Sequence, residues 1–318
     1  MLRTLAWTLR RLAGGIPLVI GVTLVSFLLM VYFGPDQTFE LLGKNPTQQQ
    51  IDELRAELGY DQPFLTRYAS FLREVATLDF GFSNSTGERV TALLARTIPV
   101  SLALILPGFV LGHLIALALA MLAARRRGQP LDRVVMGLAV TGMSISFLIV
   151  VIGFQVIFSS SGGLDLFPVR GWNVQSLADY LWYVTVPTLC LVFVAVGYDT
   201  RFYRAVFAEE LSRDHVRTAR AWGLPEHVVL VKHVLRNSLV PVTTRIMFSI
   251  PQVAIGGSLI IESYFGIPGV GKVTYDAIVT GDQPVLKAVV TLTAILFVVV
   301  VTLTDLLYRV VDPRVVRE

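Results

Sequence analysis

Charge is scarce in this chain. Only 16% of its 318 residues are Asp, Glu, Lys or Arg, against roughly a quarter in an ordinary soluble domain. Hydrophobic residues make up 54% and the mean hydropathy is +0.65, more apolar side chain than a soluble core of this length hides. Lipid accepts the surplus, so the composition describes a polytopic membrane protein. Cysteine is nearly absent too. Cys190 stands alone in an apolar run, which excludes a disulfide within the chain, and neither C-x-x-C nor a Cys/His zinc pattern occurs. Histidine is limited to His113, His215, His227 and His233. The last two are six apart and fall on different faces of a helix, so the four are read as satisfied or solvated side chains with no metal site.

Catalytic signatures are missing as well. No G-x-x-x-x-G-K-[ST] occurs; the GVGK at 269–272 has the wrong leading spacing and is followed by Val273. No G-x-S-x-G elbow appears. The chain is therefore read as non-catalytic, with no cofactor bound by it. Carboxylates are rare away from the ends of the apolar segments, and no inverted repeat is visible. Both counts disfavour an ion-coupled secondary transporter, the rival reading from another class.

What is present is apolar sequence of spanning length. Six segments, roughly 12–33, 99–123, 134–158, 179–198, 243–262 and 286–308, are long enough at ~1.5 Å per residue for ~30 Å of hydrocarbon. The basic start and apolar run of the N-terminus resemble a signal peptide, but the run is about twenty residues and no A-x-A-like site follows. An uncleaved first helix is expected. Arg3, Arg10 and Arg11, then Arg125, Arg126, Arg127 and Arg133, then the Arg-rich 199–241, and finally Arg309, Arg314 and Arg317 fall on one side of a six-span chain. The positive-inside rule places both termini in the cytoplasm. The expected organisation is an N-terminal helix over 1–33, an extracytoplasmic loop over 34–98, a core over 99–308 that includes the cytoplasmic segment 199–241, and a tail over 309–318. Within the loop, Thr47 and Gln50 read as a capping box with Gly59 as stop, and an amphipathic piece near 63–77 groups Phe64, Tyr68, Phe71 and Leu72. This loop is read as a cap packing on the bundle, and the Asn84-Ser85-Thr86 sequon as accidental.

The most informative stretch is RDHVRTARAWGLPEHVVLVKHVLRNSLVPV, residues 213–242, charged and set between two apolar segments. Asp214 is placed to cap a short helix starting at His215, and Gly223 stands at its C′ position. Pro225 restarts the chain, and Val228, Val231, Leu235 and Leu239 mark the apolar face of a second helix. A short, small-sided, basic helix suits docking into a groove of another protein; a solvated surface helix is the alternative.

This segment resembles the cytoplasmic coupling motif of ABC importer permeases, E-A-A-x-x-x-G. Arg217-Thr218-Ala219 stands where E-A-A would and Gly223 where the glycine would; the motif Glu is missing. D-x-V-R-T-A-R-A-x-G-L followed by H-x-L-R-N-S-L-V-P is similar to the variant of dipeptide, oligopeptide and nickel permeases. LDFGFS (78–83), LFPVRGW (166–172), ESYFGIPGVGKVTYDAI (262–278) and TDLLYRVVDPRV (304–315) resemble further segments of that family, in order, over nearly the whole chain. The resemblance implies an all-α type I ABC importer transmembrane domain in the bacterial inner membrane. It implies a second homologous permease, two ATPase subunits that bind ATP and Mg, and an extracytoplasmic solute-binding protein as partners, with lipid around the chain and no nucleic acid. Peptides or peptide-like solutes are the expected cargo, with nickel chelates or another small solute as the alternative.

On this resemblance Arg213, Asp214, Arg217, Thr218, Ala219, Gly223 and Leu224 are the expected ATPase-coupling residues, Ala219 and Gly223 foremost. His113, ionisable near mid-span, is a candidate for the solute pathway, against the plainer reading of a histidine bonded to a helix carbonyl. Tyr198, Asp199 and Arg201, with Tyr203 and Arg204, are candidates for an inner gate, against interfacial anchoring. Asp305 is expected to pair with an arginine. Gly266, Pro268, Gly269 and Gly271 form an expected outer turn, with an outer gate or a docking surface for a substrate-delivery protein as the alternative.

Overall fold

The computed structural model describes residues 14–33, 42, 46–57 and 61–311. Arg3, Arg10 and Arg11, the Gly59 stop, and Arg314 and Arg317 lie outside the described residues. In chain order the helices are α1 (Ile16–Phe33), α2 (Gln48–Glu57), α3 (Phe64–Thr77), α4 (Val90–Arg125), α5 (Pro130–Ser144), α6 (Phe147–Ser159), α7 (Leu177–Leu211) and α8 (Asp214–Ala221). A turn at Glu226–Val228 then runs into the π-helix Val229–Leu235. α9 (Leu239–Phe265) contains a π-helical stretch at Val253–Gly257, and α10 (Val270–Val279) and α11 (Gln283–Val311) follow. Among the described residues the only extended pairing is a single bridge between Phe82 and Arg89.

α4, α7, α9 and α11 are each long and apolar enough to cross a membrane, and α1 is a shorter apolar helix. The expected span at 134–158 is not one straight helix. α5 and α6 meet at a 101° bend, where Ile145 is extended (φ −84°, ψ 130°). The Ser144 hydroxyl donates to the Val140 carbonyl at 2.8 Å. A side chain that bonds back to the preceding turn competes with the helix ladder and favours a bend.

The chain forms two units, residues 1–100 with 268–302 and residues 101–267 with 303–318. In the first, α3 lays its aromatic face on α1. Phe27 stacks on Phe71 at 5.6 Å between centroids and lies 5.5 Å from Phe64, and the Tyr68 hydroxyl donates to the Ile20 carbonyl at 2.9 Å. Phe80, Val90, Leu93, Ala277 and Ala288 extend this core. The Thr47–Gln50 bonds are present at the start of α2: the Gln50 side chain accepts from Thr47 N at 3.0 Å, and Thr47 Oγ1 accepts from Gln50 N at 3.4 Å.

Asp282, fully buried at the start of α11, ties the loop after α3 down. Its Oδ2 accepts from the Ser83 hydroxyl (2.6 Å), the Ser85 hydroxyl (2.8 Å) and Ser85 N (3.0 Å), and its Oδ1 from Val285 N (3.4 Å). Burial opposes ionisation of this carboxyl, but the Ser83 and Ser85 donors together outweigh it and hold it below the usual carboxylate range. The sequon thus lies in a segment organised by a buried acid.

In the second unit α7 packs along α5 and α6. α7 starts with a capping box, Ser176 Oγ accepting from Asp179 N at 3.2 Å and Asp179 Oδ2 accepting from Ser176 N at 2.9 Å. α4 meets α7 through Gly108 and Gly112. A Cβ on Gly112 would lie 2.7 Å from the Ala195 Cβ, and one on Gly108 would lie 2.7 Å from the Leu191 Cβ. The G-x-x-x-G spacing lets two backbones approach, as small residues do where membrane helices cross. The LFPVRGW loop docks on the end of α9: Gly171 N donates to the Phe265 carbonyl (2.8 Å) and Arg170 Nε to the Tyr264 carbonyl (2.9 Å).

Candidate functional site: a two-faced surface helix and a charged cavity

α8 divides sharply. Val216 and Ala219 are buried, packed with Ala116, Ala120, Tyr203, Phe207 and Val242 of α4, α7 and α9. Asp214, Arg217, Thr218 and Ala221 face outward, and Trp222 just beyond the helix is 80% exposed. Three spanning helices therefore share one small core with the inner face of an eight-residue helix. Ala219 belongs to that core and supports the outer face from behind. Leu224 packs partly into the same core.

The helix ends as its sequence requires. Gly223 has φ +74°; its N–H bonds the Arg220 carbonyl (2.9 Å), and Leu224 N–H bonds the Ala219 carbonyl (3.3 Å). These two bonds make a Schellman motif, in which the C′ residue is left-handed. A Cβ at Gly223 would meet nothing within 4 Å, so conformation alone calls for glycine. The start differs from expectation. Arg213 is the N-cap and Asp214 the first helical residue, with no side-chain cap. Asp214 instead lies 3.4 Å from Arg217 and complements the helix's positive end.

The following segment also departs from a 3.6-residue reading. Val229 and Val234 are buried while Val231 is 62% exposed. Val229 and Val234 are five apart in the π-helix that forms there, whose i→i+5 bonding is seen from the Arg236 N–H to the Val231 carbonyl at 3.3 Å. Arg220 holds Glu226 through two bonds (3.3 and 2.8 Å), clamping the two sides of the turn. That guanidinium keeps the Glu226 carboxyl below its ordinary range against a smaller opposing effect of burial, with a further contribution from Arg125. Beneath α8, buried Glu210 lies 3.0 Å from Arg213 Nε and 3.2 Å from His215 Nε2.

The second feature is a cavity of about 350 Å³ among α4, α7, α9 and the start of α6. Its apolar wall includes Phe109, Leu191, Val194 and Ile260; its polar groups are His113, Tyr198, Asp199, Arg245, Ser249 and Gln252. Buried Asp199 accepts from Arg245 Nε at 2.7 Å and lies 3.5 Å from His113 Nε2. His113 Nδ1 is 2.9 Å from the Phe109 carbonyl and Nε2 is 3.1 Å from the Ser249 hydroxyl. The carbonyl-bonded histidine and the cavity-lining histidine are thus the same residue.

The structure brings His113, Tyr198 and Asp199 to one cavity and leaves Arg201 outside it, its Nη1 at 3.7 Å from Met143 Sδ. Tyr203 is buried behind α8, Arg204 grips Asp132 with two bonds (3.1 and 2.7 Å), and Asp305 is half-buried in α11. Arg245 and Ser249 were not among the expected residues. A lone arginine inside an apolar segment was the available signal, because a cation there needs a partner. Among the described residues no group of three His, Cys, Asp or Glu could hold a metal ion.

Comparison with known proteins places this architecture. The family described as binding-protein-dependent transport system inner membrane component matches residues 116–317, and its N-terminal companion matches residues 1–105. A putative peptide transport system permease protein of Brucella abortus (strain 2308) is 32% identical over 312 residues, 98% of either chain. A dipeptide transport system permease protein of Lactococcus lactis subsp. cremoris (strain MG1363) is 34% identical over 299 residues, 92% of this chain and 93% of the relative. An inward-facing structure of the MetNI methionine ABC transporter shares the fold, with TM-score 0.58 at 19% identity over 70% of this chain and 97% of that one. With the family matched across more than half its length and relatives aligned from end to end, this multi-pass membrane chain belongs to the binding-protein-dependent transport system inner membrane components.

Proposed function

We propose that this chain is the permease subunit of an ATP-driven type I importer that carries peptides or peptide-like solutes across the bacterial cytoplasmic membrane. Relatives named as peptide and dipeptide permeases along the full length support the cargo class. In this reading α1, α4, the bent α5–α6 pair, α7, α9 and α11 are the six spans. Both termini and the arginine-rich 124–133 and 199–241 segments face the cytoplasm. A second homologous permease, two ATPase subunits and an extracytoplasmic binding protein complete the assembly, and ATP with Mg belongs to the ATPase subunits.

One observation carries the proposal: the inner face of α8 is buried with residues of α4, α7 and α9 while its outer face, with Trp222, is free. A partner gripping Asp214, Arg217, Thr218 and Trp222 would move three spanning helices through Val216 and Ala219. ATP-dependent closure of the two ATPase subunits would then shift the permease between its outward- and inward-open states, a two-state element biased by differential binding. Gly223 and Leu224 would fix the turn and Arg213 the entry. The test is reconstitution of the five-part complex in proteoliposomes, with ATP-dependent uptake of alanyl-alanine. Uptake that needs the ATPase and is lost in Ala219→Glu supports the reading. Uptake by this chain alone without ATP contradicts it.

A further inference from the structure

Three bidentate arginine–carboxylate pairs among the described residues outside the cavity share one geometry. Arg204 holds Asp132, Arg220 holds Glu226 and Arg96 holds Glu88, each through Nε and Nη2 together. Arg245 is different. It touches Asp199 through Nε alone, and among the described residues no bond reaches Nη1 or Nη2. Its side chain keeps 31% of its surface open, against 4% for Asp199, and both residues line the cavity. Asp199 is already engaged at both oxygens, Oδ1 by Arg245 Nε and Oδ2 at 3.5 Å from His113 Nε2. The uncommitted charged group is the Nη1 and Nη2 donor pair of Arg245.

We propose that this cavity is a passage subsite for the carboxylate end of the solute, with the Nη1 and Nη2 pair of Arg245 as its anchor; the peptide identity of that solute rests on the function proposed above. A guanidinium presents paired donors that match a carboxylate, and apolar walls strengthen the attraction. Asp199 orients the guanidinium through Nε; His113 lies 3.5 Å from its other oxygen and is itself held by Ser249. The volume of about 350 Å³ lies at the small end of ligand pockets, which run ~300–1,000 Å³, and suits one end of a short solute. Selectivity for a carboxylate rests on the geometry of the Nη1 and Nη2 donors of Arg245.

The test uses the reconstituted complex with its binding protein and compares ATP-driven uptake of alanyl-alanine with that of alanyl-alaninamide. The binding protein is common to every arm, so a change in the acid-to-amide ratio reports the permease. Wild type is expected to prefer the acid. The charge-neutral variant Asp199→Asn with Arg245→Gln, which leaves no buried ion unpaired, should lose about tenfold or more of acid uptake while amide uptake holds. Arg245→Lys, which keeps the charge and loses the fork, should fall between. An unchanged ratio, or a parallel loss of both probes in both variants, overturns the subsite and leaves a structural ion pair. A wild type indifferent to the amide overturns it too, while leaving the peptide reading intact. A wild type that moves neither probe with ATP overturns the peptide reading, and this inference with it.

Discussion

Substitution of Gly223 separates a backbone role from a contact role. In the isolated chain a Cβ there meets nothing, so the cost of any side chain comes from φ +74° alone. An alanine in the left-handed region costs ~1–2 kcal/mol, an asparagine less, and a β-branched residue more. One to two kcal/mol is a factor of about 5–30 in the population of the Schellman turn, and with it of α8 held in its observed pose. Binding-protein-stimulated ATPase activity, with the amount of ATPase co-purified, should therefore decline in the order Gly, Asn, Ala, Val. If Gly223 itself sat against the ATPase, penalty would follow volume, and Asn would be worse than Ala. An Asn variant at or below the Ala variant would refute the backbone account.

Four further outcomes follow from the same structure. Gly112→Ala puts its methyl 2.7 Å from the Ala195 Cβ, a neighbour that cannot rotate away; loss of ~1–3 kcal/mol is expected, read as a lowered Tm in detergent, with Gly137→Ala, where nothing lies within 4 Å, as the neutral control. Ala219→Glu buries an unpaired carboxylate in the core behind α8 and should release the ATPase without releasing the second permease, as seen on a pull-down. Asp282 is an acid whose folded pKa is depressed, so its stabilisation is full above the unfolded value near pH 4 and fades as pH falls through the lower folded value. Acid unfolding followed by tryptophan fluorescence should lose that dependence in Asp282→Asn, at a cost of ~1–3 kcal/mol at pH 7. Trp222→Ala leaves the fold's Tm unchanged, since the side chain is 80% exposed, yet weakens ATPase association by about tenfold if it anchors the docking face.

Long apolar segments announced the spanning helices, because burial of the backbone in lipid leaves few other conformations. Gly223 was legible for a local reason: the last turn of α8 and its left-handed residue are neighbours in sequence. What sequence hid was non-local or of an unusual period. The 101° bend between α5 and α6 lies inside an unbroken apolar run, marked only by Ser144 and Ser146. The π-helix at Val229–Leu235 moved the buried face from Val231 to Val234. His113 and Asp199 were legible as ionisable groups in or near spans, but Arg245, the partner of Asp199, is 46 positions further along the chain, and Ser249, the partner of His113, is 136 further along.

The most direct measurement is site-specific crosslinking from the outer face of α8. Cys190 is buried and is the chain's only cysteine, so Trp222→Cys adds a single accessible thiol. In inner-membrane vesicles holding the whole complex, a short bifunctional reagent at this thiol should join the chain to the ATPase subunit, with a yield that changes on adding ATP. Leu65→Cys, 76% exposed on α3, should give no such product. An assembled, transport-active complex in which the thiol at 222 never reaches the ATPase would contradict the coupling role of α8.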